Sequence, residues 1–118
     1  PAYDVDVFAF KNKAHFSVRK RINPTGIPYK GNIVENNNKI KNYCKKITKG
    51  LKLKYLFDMD IMTDQKDRPT LLEINARPSG SIVTSELASY PIFTFAICAM
   101  LNVKYYLPNL KRRKKRLK

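Results

Sequence analysis

The sequence predicts an α+β domain, a mainly antiparallel sheet with helices packed on it. Three observations predict it. Four segments alternate their side chains with the period of two that a strand requires, and two others repeat apolar residues every three to four positions, as a helix does. Short stretches carrying Asn, Gly and Pro, the residues of turns, join them. The order β-β-α-β-β-α in a chain of 118 residues makes one small domain.

Residues 3–10 form the first strand, with Tyr3, Val5, Val7 and Ala9 on one face and Asp4, Asp6, Phe8 and Phe10 on the other. Its valines and aromatics suit a pleated, packed surface. Residues 11–13 make a hairpin turn. Residues 14–21 return with His15, Ser17, Arg19 and Arg21 on one face and Phe16 and Val18 on the other. Pro24, Gly26 and Pro28 break the pattern into a loop, and residues 31–34 give a short extended piece. Residues 36–49 read as a helix whose buried stripe is Ile40, Tyr43, Cys44 and Ile47, with Gly50 as its stop. Residues 55–62 and 70–75 form a second hairpin around the polar turn 63–68, and residues 77–81 are a loop containing Pro78 and Gly80. A last helix, 91–102, places Pro91 in its first turn and buries Phe93, Ile97, Met100 and Leu101; Phe95 is also assigned to the core.

The formal charge of +15 is unevenly spread: residues 111–118 carry seven positive charges, and the other 110 residues carry +8, Lys-rich over 39–54. The expected organisation is therefore a domain over 1–110 and a solvated, disordered basic tail over 111–118. No apolar run approaches the roughly 20 residues that would span a bilayer. Cys44 and Cys98 stand far apart in no metal-binding spacing, which fits reduced thiols in a cytoplasmic protein. His15, the only histidine, reads as a sheet-packing residue, and no Ser-His-Asp or Cys-His set can be assembled.

The second hairpin concentrates the chemistry. A turn centred near residues 65–67 sets Asp60 opposite or diagonal to Glu73. Glu73, Asn75 and Arg77 share one face, Asp58 and Asp60 share the matching face of the partner strand, and Leu72 and Ile74 point into the core. Opposed carboxylates repel. A hard divalent cation relieves that repulsion, since Mg²⁺ takes carboxylate and amide oxygens and keeps positions for water or phosphate. A plain solvated face is the other reading. Asn75 adds an amide oxygen, and the Arg77 cation suits a phosphate or a developing negative charge.

Residues 71–81, Leu-Leu-Glu-Ile-Asn-Ala-Arg-Pro-Ser-Gly-Ser, resemble the signature of ATP-grasp enzymes, in which an apolar pair is followed by Glu, an apolar residue, Asn, Pro and Arg. Ala76 stands where that Pro is usual. Members of the family include the carbamoyl-phosphate synthetase large subunit, biotin carboxylase and D-alanine–D-alanine ligase. Residues 2–7 resemble the family's Glu-Tyr-x-Val-Asp-x strand, with Ala2 in place of the Glu, and residues 85–101 resemble the helix after the metal loop. The resemblance implies the C-terminal subdomain of an ATP-grasp fold. It implies Asp60, Glu73 and Asn75 as ligands of the Mg²⁺ (or Mn²⁺) that bridges ATP phosphates, and Arg77 as the catalytic contact to the reacting group. It further implies an ATP-dependent ligase that forms an acyl phosphate from a carboxylate substrate. The family's phosphate lysines, glycine-rich flap and adenine hinge have no counterpart here. The chain is therefore expected to be inactive alone, and to need a missing N-terminal lobe or to associate with itself.

Arg19 and Arg21 are assigned to a cofactor phosphate or a substrate carboxylate, the competing reading being a solvated basic face. Asp6 reads as a surface acid, the alternative being a further acidic neighbour of the site. Two alternatives to the ligase are a small basic nucleic-acid-binding module using the tail and a fold remnant without activity. Against the module, no helix-turn-helix, zinc spacing or stacking-aromatic motif is present.

Overall fold

Strand β1 (Ala2–Phe10) lies at the centre of the molecule with both of its faces covered, every residue from 3 to 9 being buried. In the computed structural model, which describes residues 1–22, 32–80, 82–88, 90–108 and 115–116, it is followed by β2 (Lys13–Arg21), β3 (Ile33–Val34) and α1 (Asn38–Gly50). Then come β4 (Tyr55–Thr63), β5 (Pro69–Asn75), α2 (Ile82–Leu87), α3 (Ile92–Met100) and β6 (Lys115–Arg116). The strands form one sheet in the order β5-β4-β1-β2-β3-β6, with each neighbouring pair antiparallel. The predicted α+β architecture is thus observed, and it gains α2, a short helix that the residue pattern did not separate from α3. Among the described residues no helix is long and apolar enough to cross a membrane.

The β1–β2 hairpin turns through Lys11 (φ 50°) and Asn12 (φ 63°). Two successive positive φ values give the twist that a two-residue hairpin needs. Helix α1 starts where the Asn37 side chain accepts the Ile40 N–H at 3.1 Å, a cap worth about 1 kcal/mol. Its Ile40 and Cys44 pack on Tyr3, Val5, Val7, Val18, Met59 and Ile61, the main core. On the opposite sheet face Phe8 packs with Tyr90, Ile92 and Ala96. His15 stacks edge-on against Phe95, with ring centroids 4.6 Å apart, the packing role expected of it.

Two expectations about the core are corrected. Leu72 is 59% exposed, and Leu71 packs inward beside Ile74 instead. The cause is a bulge: Asp60 pairs with Glu73 but Ile61 pairs with Leu71, so Leu72 is the extra residue on β5. The Tyr43 hydroxyl accepts the Leu71 N–H at 2.9 Å, fastening α1 to this irregular edge. In α3 the buried residues are Ile92 and Ala96, whereas Phe93, Ile97 and Met100, and Leu101 just after the helix, are exposed. This helix contains no charged residue, so periodicity alone could not tell which side faces the sheet. Of the basic tail, only the backbone of β6 is among the described residues, paired with β3; the rest of 111–118 lies outside them.

Burial raises the Cys44 thiol to about 12, while Cys98 is only half-buried. A thiol-reactive chromophore is therefore expected to label one cysteine, Cys98, in the native chain and both after unfolding. Rapid native labelling of Cys44 would contradict the packing of α1.

Candidate metal-binding site

Antiparallel register aligns polar side chains into two rows across the second sheet face. Reading from β5 inward, the first row is Glu73, Asp60, Asp4 and Arg19, and the second is Asn75, Asp58, Asp6 and Ser17. Neighbouring strands are about 4.8 Å apart, so each row sets its side chains beside one another. Four strands contribute, and the expected opposition of Asp60 and Glu73 is only the outer end of the arrangement. Cover increases inward: Glu73 is exposed, Asn75 and Asp60 are half-buried, and Asp58, Asp4 and Asp6 are buried.

Burial, followed by the charges of Asp60 and Asp6, pushes the Asp58 carboxyl up to about 7, against a lowering hydrogen bond from Asn75. Burial also pushes Asp60 up to about 6, helped by a hydrogen bond and charge from Asp4 and by Glu73. Asn75 Nδ2 donates to Asp58 Oδ2 at 3.3 Å. Arg77 places Nη1 3.5 Å from the same oxygen, and 3.0 Å from the carbonyl of Pro78, while remaining 61% exposed. Arg21, on β2 beside the inner end of the first row, holds Nε 3.8 Å from Asp4 Oδ2.

Arg19 lies at the other end and is not solvated. Its side chain is 0% exposed, and its Nη2 is 2.6 Å from Asp6 Oδ2. Asp6, expected at the surface, is likewise fully buried. The reason is the chain after β5, which crosses the sheet face and lands on both residues. Ser79 donates its N–H and its hydroxyl to Asp6, each at 2.8 Å, and Arg19 donates to Ser79 at 2.7 Å and to Ser85 at 2.9 Å. Ser85 also meets Ser17 in a short hydroxyl contact. Asp4, Asp58, Ser79 and Ser85 were not singled out from the residues as members of the site. The usable signal was the paired i, i+2 spacing of Asp4 with Asp6 and of Asp58 with Asp60 in neighbouring strands.

The donor set suits a hard cation. The less covered end of the rows is made of carboxylate and amide groups, those of Glu73, Asp60 and Asn75, and Asp58 Oδ1 is buried without a hydrogen-bond partner among the described residues. No three His, Cys, Asp or Glu side chains among the described residues form a metal cluster by themselves. A cation here would be shared with Asn75, water and phosphate oxygens, as Mg²⁺ usually is.

A family model described as ATP-grasp in the biosynthetic pathway with Ter operon matches residues 1–116. The chain belongs to this ATP-grasp family. Solved structures share the ATP-grasp fold at low identity. One is the N5-carboxyaminoimidazole synthetase of Staphylococcus aureus, with TM-score 0.65 and 21% identity over 92% of this chain and 30% of that one. The same enzyme complexed with ADP gives TM-score 0.66 and 19% identity over 89% and 30%. The L-amino acid ligase of Bacillus licheniformis gives TM-score 0.59 and 18% identity over 76% and 25%. This ATP-grasp chain thus spans between a quarter and a third of the length of the structures it resembles. No curated protein matches it.

Proposed function

We propose that this chain is the cation- and phosphate-holding part of an ATP-dependent ligase, with Asp60, Glu73 and Asn75 as ligands of Mg²⁺ or Mn²⁺. The observation that carries the reading is the two aligned rows of carboxylates on four neighbouring strands, in which burial first, and then neighbouring acids, raise the Asp58 and Asp60 carboxyls. When bound, the cation would neutralise the phosphate oxygens of ATP and orient them. Asp58 and Asp4 stand directly behind the ligands and keep the site negative. Arg77, on the exposed rim, faces the transferring phosphoryl group and stabilises its charge. Arg21 stands at the edge of the same face, within reach of a phosphate or a substrate carboxylate. Arg19 serves from beneath, through its partners.

In the reaction, an oxygen of the substrate carboxylate attacks the γ-phosphorus, the bond to the β-phosphate oxygen breaks, and an acyl phosphate and ADP result. A nucleophile such as an amine then displaces phosphate from the acyl carbon. The protein's share is positioning and charge neutralisation. The lysines of residues 39–54 lie on and just after α1, which packs on the other sheet face, so they do not line this site. A second lobe, or another copy of the chain, would supply adenine contacts and further phosphate donors.

The isolated chain is expected to hold half a site. Calorimetry with Mg²⁺–ATP should show no binding tighter than about millimolar, roughly 4 kcal/mol. Phosphate release should match that of a Glu73→Gln variant. Micromolar binding with Glu73-dependent hydrolysis would overturn the half-site reading.

A further inference from the structure

Beneath the rows lies a device that the reading above does not use. After Asn75 the chain leaves the edge strand β5, passes over β4 and returns to the middle of the sheet, where Ser79 meets Asp6 of β1 and Ser85 meets Arg19 and Ser17 of β2. The rim residue Arg77 sits in the span between Asn75 and Ser79, with its N–H on the Asn75 carbonyl at 2.8 Å. The contacts at the landing point are mutually consistent. Asp6 accepts the Ser79 N–H on Oδ1 and the Ser79 hydroxyl on Oδ2. Arg19 donates from Nη2 to Ser79 and from Nη1 to Ser85. The Ser79 hydroxyl therefore donates once and accepts once, which a hydroxyl can do without compromise. Arg19, Asp6, Ser17 and Ser85 are wholly buried and Ser79 nearly so. Water does not compete for these bonds, and their directions fix the serines.

We propose that the buried Asp6–Arg19 pair is a positioning clamp. Through Ser79 and Ser85 it fixes the crossing of residues 76–80, and so holds Arg77 and the end of β5 in register with the carboxylate rows. The planar guanidinium is required because one group must hold Asp6, Ser79 and Ser85 in a single fixed geometry; a lysine ammonium keeps the charge but lacks the fork. Arg19 and Asp6 act through the loop and touch neither cation nor nucleotide. The inference rests on the metal-and-phosphate reading for what the loop is positioned to do, and its test separates the two.

The test compares the chain with its Arg19→Lys, Ser79→Ala and Ser79→Thr variants by amide hydrogen exchange and by Mn²⁺ titration in ¹H–¹⁵N NMR. Ser79→Ala removes no charge and keeps the clamp testable if Arg19→Lys does not fold. In Ser79→Ala, and in Arg19→Lys where it folds, exchange at Arg77, Ser79 and Gly80 is expected to rise at least tenfold while β1 and β4 keep their protection. The Arg77 Nε–H resonance should move toward its value in an unfolded peptide. Ser79→Thr restores the hydroxyl and should restore both signals, which a general loss of stability would not do. The Mn²⁺ concentration that half-broadens Asn75 should rise at least fivefold in Ser79→Ala. Unchanged exchange at residues 77–80 in Ser79→Ala overturns the clamp. If Mn²⁺ broadens nothing near Glu73 even in the unaltered chain, the cation reading fails, and the exchange measurement still decides whether the clamp exists.

Discussion

Arg19→Ala is expected to destabilise the chain by about 3–5 kcal/mol, the cost of leaving one member of a buried ion pair without the other. Both side chains are 0% exposed and their charged atoms are 2.6 Å apart. Removing the guanidinium strands the Asp6 carboxylate under Ser79 and also withdraws donors from Ser79 and Ser85. A domain of this size has about 5–15 kcal/mol in all, so the variant should lose much of its folded population. Asp6→Ala should cost a similar amount, and the double variant less than the sum of the two, because neither charge is then left alone. Urea denaturation measures all three. A loss under about 1 kcal/mol for Arg19→Ala would mean that the pair is solvated and the loop does not cover it.

Stability is also expected to fall as pH rises from about 4 to about 7 when no divalent cation is present. Asp58 and Asp60 are raised to about 7 and about 6, whereas carboxyl groups in the unfolded chain titrate near 3.9. Between those values the folded chain holds protons that the unfolded chain has released, so rising pH favours unfolding. Below about 4 both states are protonated and the two acids cost nothing. Asp58 is buried, and its shift corresponds to at most on the order of 4 kcal/mol by pH 8. Asp60 is half-buried and adds less. Magnesium should flatten the slope, since a cation replaces the protons. Melting temperatures across pH 4.5–8, with and without millimolar Mg²⁺, measure this. A stability that rises through the window without metal would contradict the packing of the acidic rows.

The hairpins and their faces were legible because they rest on alternation. The split of β1 into a Tyr3–Val5–Val7 face and an Asp4–Asp6–Phe8 face, and the opposition of Asp60 to Glu73, follow from the period of two and a short polar turn. What failed depended on tertiary cover. Asp6 looks like any strand acid until residues after β5 close over it, and nothing local to Asp6 announces Ser79, 73 positions away. The same cover turned Arg19 from an apparent surface cation into a buried partner. Leu72 was misplaced because it is itself the extra residue of the bulge, which breaks the alternation and puts Leu71 on the face of Ile74. Helix α3, uncharged all round, carried no sign of which side it would bury. The ATP-grasp family was legible in residues 71–81, where the signature stands nearly complete, and the family match over residues 1–116 agrees with it.

The most direct test of the cation site is a Mn²⁺ titration of the chain followed by ¹H–¹⁵N NMR, because paramagnetic broadening reports distance to the bound ion. The account predicts that amides of residues 58–60 and 73–77, with the Asn75 side-chain amide, broaden first and together, and that Glu73→Gln removes the effect. Broadening confined to other parts of the chain, with residues 58–77 untouched, would contradict it.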